Sequence, residues 1–199
     1  MLANARRLNI IQHLSCKDPL TLTQLATVCK MSLPSCSQYT RQITARGLCR
    51  ETQKGRYAYF DLYPDPAIPF SSILLQGVVA SLKNAKKDYK EQIADLTAYT
   101  HVRRIKIVNL IASKGSVRLC DMQHELHISE SALLRHINKL LRRNVVLLSD
   151  DERYYLGSPP TLLAKELKRI VTKSYLHTSW SVEVCIKELS FLDDSQKAL

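Results

Sequence analysis

The chain has 199 residues, 45% of them hydrophobic and 24% charged, a composition that supplies a packed core and excludes wholesale disorder. Its formal net charge of +11 predicts a positive surface field and attraction to phosphate-rich or anionic partners. No run approaches the ~20 uninterrupted apolar residues of a membrane span, and five glycines leave no glycine-rich phosphate loop.

In chain order, the first predicted element is an amphipathic helix with Leu8, Ile11 and Leu14 at helical spacing and Ile10 widening the stripe. Arg6 and Arg7 precede this patch, which is too short and too periodic for the apolar core of a signal peptide. Asp18-Pro19 stops the helix. A second opens at Thr21 or Leu22, with Thr21 and Thr23 available as caps and Leu25 and Val28 facing inward. After the turn Lys30-Met31-Ser32, Ser32 caps a third helix that tolerates Pro34 in its first turn and runs to about Arg46. That helix buries Cys36, Ile43 and either Thr40 or Tyr39, and Gly47 ends it. Leu48–Glu51 and Tyr57–Leu62 then form strand candidates joined by Thr52-Gln53-Lys54-Gly55. Helix, helix, turn, helix and hairpin is the order of a winged helix-turn-helix.

Pro64-Asp65-Pro66 and Pro69 break the chain, and Ser71–Tyr99 is predicted helical, apolar at Ile73, Leu74, Val78, Val79 and Leu82 and charged from Lys83 to Glu91. The first pattern then returns. Residues 6–59 match residues 103–156 without a gap at an offset of 97, pairing Arg6-Arg7 with Arg103-Arg104, Leu8 with Ile105, Leu25 with Met122, Ile43 with Leu140 and Arg56-Tyr57 with Arg153-Tyr154. Such self-similarity means one supersecondary unit built twice. The second copy predicts helices at Arg103–Ser113, Leu119–Leu126 and Glu130–Arg143, the last capped by Ser129, and a hairpin of Val145–Leu148 with Arg153–Leu156. Asn144 replaces the helix-ending glycine and also tolerates the left-handed region. Pro159-Pro160 precedes a final helical run with Leu162, Leu163, Leu167, Ile170 and Val171.

The expected fold is mainly α with small β-hairpin wings, an α+β class, as two winged helix-turn-helix domains in one chain. The boundaries are 1–63 for the first domain, 64–101 for a helical linker, 102–158 for the second domain and 159–199 for a C-terminal helical segment.

Ser131-Ala-Leu-Leu-Arg-His-Ile-Asn-Lys-Leu-Leu-Arg-Arg-Asn-Val-Val resembles the recognition-helix signature of the ArsR family of winged-helix regulators, in which a Ser-Arg-His-Leu core precedes a spaced leucine and Gly-Leu-Val. Ser37-Gln-Tyr-Thr-Arg-Gln-Ile-Thr-Ala-Arg-Gly-Leu is a looser version, and MarR-like winged helices share the motif. The resemblance covers about fifty-five residues in each half and implies duplex DNA as partner. It also implies that helices flanking each winged unit form a dimer seam. With both halves on one chain, that seam makes an intramolecular pseudo-dimer, and the tail Tyr175–Leu192, with Trp180 and Phe191, offers a surface for a further homodimer.

Candidate DNA contacts follow from the outward positions of the third helix. They are Ser32, Ser35, Ser37, Gln38 and Arg41, with Lys54 and Arg56 at the hairpin tip, in the first copy. In the second they are Ser131, Arg135, Asn138, Lys139 and Arg153. Hydroxyls, amides and guanidinium groups bond base edges or phosphates, and cations bind phosphate as charge. Residues 1–63 carry nine Lys/Arg against three Asp/Glu, a net of +6; residues 102–158 carry ten against six, a net of +4. The second hairpin tip, Asp150-Asp151-Glu152, repels phosphate, so the first repeat is expected to dominate.

The metal-sensing cysteines of many ArsR members project onto Thr21, Thr23 and Ala26 in one half and onto Arg118, Cys120 and Gln123 in the other, so that thiolate site is expected to be missing. Cys120, His124 and His127 form a Cys-x3-His-x2-His cluster without a fourth ligand. No metal or cofactor is expected. Six cysteines without a CxxC pair point to reduced thiols and a cytoplasmic protein. No nucleophile elbow or HExxH motif suggests an enzyme. The expected function is sequence-specific DNA-binding transcriptional regulation. The alternative is a tandem winged-helix protein-interaction module of a chromosome-segregation or complex-assembly subunit, favoured by Leu134 and the acidic second hairpin.

Overall fold

The structure is a computed structural model that describes residues 2–16, 18–83 and 89–176. Trp180 and Phe191, expected in a dimerising tail, lie outside the described residues, as does Cys185. The chain divides into two compact units, Leu2–Ile93 and Ala94 onward. Among the described residues the fold is mainly helical with two small antiparallel sheets, an α+β class.

In the first unit, α1 (Ala5–Ser15) starts where the Asn4 carboxamide accepts from the amide of Arg6 at 2.9 Å, and it buries Leu8, Ile10, Ile11 and Leu14. A two-residue strand β1 (Leu20–Thr21) leads directly into α2 (Leu22–Cys29). Thr21 closes a capping box there: its hydroxyl accepts from the Gln24 amide while the Gln24 side chain accepts from the Thr21 amide. Lys30 turns the chain in the left-handed region, and α3 (Leu33–Thr44) begins at the expected cap, Ser32, with Pro34 in its first turn. β2 (Cys49–Lys54) and β3 (Tyr57–Leu62) form the hairpin, and the sheet order is β1-β3-β2. Leu8, Ile11, Leu25, Ile43, Leu48 and Phe60 are buried together with Val78 of α4 (Ser71–Leu82), which lies on α1.

The second unit repeats this order. After α5 (Lys90–Ala98) come α6 (Val102–Lys114), β4 (Ser116–Arg118), α7 (Leu119–Leu126), α8 (Glu130–Leu141), β5 (Val146–Leu148), β6 (Arg153–Leu156) and α9 (Leu162–Leu176). Its sheet order is β4-β6-β5, and α9 lies on α6. Both ends of α7 and α8 stand 97 residues after those of α2 and α3, so the offset holds through the helices. Gly47 and Asn144, at the ends of the third helices, both take positive φ as expected.

Several expectations need correction. β1 and β4 were not foreseen; each adds a third strand to its hairpin. The hairpins are not in register with the helices either. Leu20 faces Phe60 and Val117 faces Tyr154; the first members differ by 97 and the second by 94, so the second hairpin is three residues shorter. Arg56-Tyr57 therefore does not correspond to Arg153-Tyr154, because Arg153 stands where Tyr59 does. The helix expected over Ser71–Tyr99 is not continuous, since α4 ends at Leu82 and α5 begins at Lys90 after Tyr89 at φ 52°. Within the stretch expected as a helical linker, 64–101, α4 falls in the first unit and the division between units falls within α5. Residues from Ala94 join the second unit, where the buried Arg104 donates to the carbonyls of Ala98 (2.8 Å) and Thr97 (2.6 Å). These carbonyls end α5 and have no helical partner, so the guanidinium closes the helix.

Candidate nucleic-acid interface

α3 is held by one stripe and shows another. Cys36, Thr40 and Ile43 are buried, with the Thr40 hydroxyl donating to the Cys36 carbonyl at 2.8 Å. Thr40, not Tyr39, takes the inward position. The half-buried Tyr39 lies under Arg7, whose guanidinium is 5.7 Å from the ring centroid and donates to Gln42 Oε1 at 2.6 Å. Desolvation pulls the Arg7 pKa below its ordinary value, which suits a bridge between α1 and α3 more than an outward charge.

The exposed stripe carries Leu33, Pro34, Gln38 and Arg41, with Ser35 and Ser37 half-buried beside it. Ser32 is exposed, but its hydroxyl donates to Ser35 Oγ at 2.9 Å and accepts from the Ser35 amide. Those two hydroxyls are engaged in the helix cap, which leaves Ser37, Gln38 and Arg41 as the outward hydrogen-bonding groups. At the hairpin tip Lys54, Gly55 and Arg56 are all exposed; Gly55 has φ 61°, the conformation that this tight turn demands.

In the second unit Leu133, His136, Ile137 and Leu140 form the buried stripe of α8, while Glu130, Ser131, Arg135, Asn138, Lys139 and Arg142 are exposed. Ser129 occupies the cap position but its side chain makes no cap hydrogen bond. Arg143, at the predicted end of this helix, is turned inward: it donates to Thr97 Oγ1 at 2.9 Å, and desolvation lowers its pKa. Arg153 is half-buried with its Nε 3.8 Å from the Asp151 carboxylate, so its charge is answered within the hairpin. Asp150, Asp151 and Glu152 are exposed at the tip. A cleft of about 650 Å³ is lined by Arg118, Glu130, Asp151 and Glu152 with Leu119 and Leu148. Cations on α8 and carboxylates on the hairpin thus pull a polyanion in opposite directions, whereas helix and hairpin tip agree in sign in the first unit.

Burial raises the thiol pKa of Cys29 to about 12 and of Cys49 to about 11, and pushes Cys36 up as well. These thiols are packed and protonated at neutral pH. Cys16 and Cys120 are exposed. Among the described residues no group of three or more His, Cys, Asp or Glu side chains is placed to hold a metal ion, Cys120, His124 and His127 included; His127 sits past the end of α7 in the left-handed region. Nor is any described helix long and apolar enough to cross a membrane.

Sequence reasoning missed His136. The residue is 5% exposed, its ring centroid is 4.4 Å from that of His101, and neither ring nitrogen has a hydrogen-bond partner among the described residues. Burial first, then the neighbouring charges of His101, Arg104, Arg103 and Arg135, bring its pKa down to about 4. A histidine amid a run of helical apolar positions was the available signal. No protein-family model matches the chain, and no curated protein or solved structure is significantly similar to it.

Proposed function

We propose that each unit is a winged helix-turn-helix and that the chain is a sequence-specific, duplex-DNA-binding regulator of transcription with no catalytic step. The observation that carries this is the first unit's third helix: it leaves Gln38 and Arg41 exposed with Ser37 half-buried beside them, and its hairpin ends in two exposed cations, Lys54 and Arg56. A helix of this kind enters the major groove while the hairpin tip lies along the backbone or minor groove. Gln38 and Arg41 would then read base edges and the tip cations would bind phosphate. Both units would contact DNA, the first dominant because its helix and hairpin agree in charge.

A second reading is favoured by the acidic tip and cleft of the second unit, which suit a basic protein partner better than phosphate. Duplex titrations with the full chain over a range of salt separate the two. Binding to genomic fragments should weaken steeply with salt. Arg41→Glu with Lys54→Glu should weaken it more than Arg135→Glu with Lys139→Glu. Equal losses would remove the first unit's dominance, and salt-insensitive or absent duplex binding would remove the DNA proposal.

A further inference from the structure

We propose that the outer face of the first unit's sheet is a platform for single-stranded nucleic acid, on which unpaired bases stack against Tyr57, Tyr59 and Tyr63. This surface is distinct from the exposed stripe of α3 but shares the hairpin-tip cations Lys54 and Arg56 with the proposed duplex contact, and the inference does not require that the duplex proposal hold.

Strand alternation makes the platform. Along β3, Phe60 is buried toward the core, so Tyr57, Tyr59 and Asp61 point to the other face. Their cross-strand partners Lys54, Thr52 and Arg50 share that face. Tyr57 is 64% exposed and Tyr63, just beyond the strand, 39%. Cations sit among the rings. The Arg50 guanidinium is 4.3 Å from the Tyr63 ring centroid, the Lys54 ammonium is 5.9 Å from that of Tyr59, and Arg56 is exposed at the tip. Asp61 on this face pairs with Arg50 at 2.8 Å, which leaves Lys54 and Arg56 as the cations offered to phosphate and Arg50 as a flat group on the Tyr63 ring.

Rings interleaved with cations match the two chemistries of a single strand, base faces and phosphates. Spacing argues against a duplex as the ligand of this face. Alternate residues on a strand are ~6.7 Å apart, about twice the ~3.4 Å step between stacked bases. Bases lying on Tyr57 and Tyr59 must therefore be unstacked from each other, which an extended single strand permits and a duplex does not. The second unit supplies an internal comparison. Where the first has Tyr59, Asp61 and Tyr63, the second has Arg153, Tyr155 and Gly157, and Leu147 replaces Arg50. The ladder of rings and cations is a property of one copy.

The test is fluorescence polarisation of the full chain with labelled oligo(dT) and oligo(U) of about twenty nucleotides and with a duplex of equal length. The wild-type chain should bind at least one single strand. Tyr57→Ala with Tyr63→Ala should lower that affinity about tenfold or more, while Tyr57→Phe with Tyr63→Phe, which keeps the rings, should retain it and guards against a folding artefact. Arg41→Glu should leave strand binding within about twofold, whatever it does to the duplex. Strand binding that survives where duplex binding fails leaves the platform standing. Failure of the wild-type chain to bind either strand overturns it, whatever protein that face captures, as does strand binding indifferent to the Ala pair.

Discussion

Acidification reaches this fold through His136. The folded state holds its pKa near 4, against an ordinary imidazole value of about 6.5 in an unfolded chain. The unfolded state therefore binds the proton more readily, and stability must fall as pH drops below about 6.5. At pH 4.5 the unfolded ring is almost wholly charged and the folded one about one quarter charged, a loss of about 2.5 kcal/mol from this group. That is a sizeable share of the ~5–15 kcal/mol by which domains are stable. The cause is first the loss of water around a buried ring, and then the neighbouring positive groups of His101, Arg104, Arg103 and Arg135. His136→Phe keeps an aromatic body without a titrating group. Urea unfolding of both chains at pH 7 and pH 4.5 gives the comparison, and the variant should gain about 2.5 kcal/mol on the wild type between the two. Parallel pH profiles would refute the reasoning, and so would a ring resonance of His136 titrating near 6.5.

Arg104→Met should lower unfolding free energy by about 2–4 kcal/mol, since it strips hydrogen bonds to charge from the Ala98 and Thr97 carbonyls; thermal melting measures it, and an unchanged transition would contradict the role given to Arg104. Gly157→Ala would bring a Cβ to 2.4 Å from the Asn144 carbonyl oxygen and should destabilise the second unit strongly, whereas Gly55→Ala meets open space and should cost only the strain of its positive φ, about 1 kcal/mol. Among the described cysteines, a thiol reagent at pH 8 should label Cys16 and Cys120 promptly and Cys29, Cys36 and Cys49 only after denaturation, as peptide mapping would show.

Helix boundaries were legible because punctuation and periodicity agreed: Ser32 and Pro34 open α3, and Gly47 and Asn144 follow the third helices with positive φ. The strands β1 and β4 were not, since two or three residues carry no period and take their strand character from the partner that pairs with them. Matching Arg-Tyr dipeptides hid the three-residue shortening, because identity in the chain outweighed a register that only the sheet reveals. Arginines were read as surface charge throughout. The carbonyls that draw Arg104 inward stand only six and seven residues before it, but no residue pattern marks them as unpaired, and the hydroxyl that draws Arg143 is 46 residues away. The candidate interface suffered in the same way: Ser32 and Ser35 have the right residue type and position, but they bond each other.

Thr21 is at once the last residue of β1 and the cap of α2. A load applied to the hairpin at Tyr59, its strand partner, is handed without any intervening loop to the start of that helix. The hairpin is thus geared to α2 and cannot swing as a loose arm. In the second copy the same joint is Arg118, which ends β4 and places no side-chain bond on α7, while β4 pairs with β6 at three positions against two for β1 with β3.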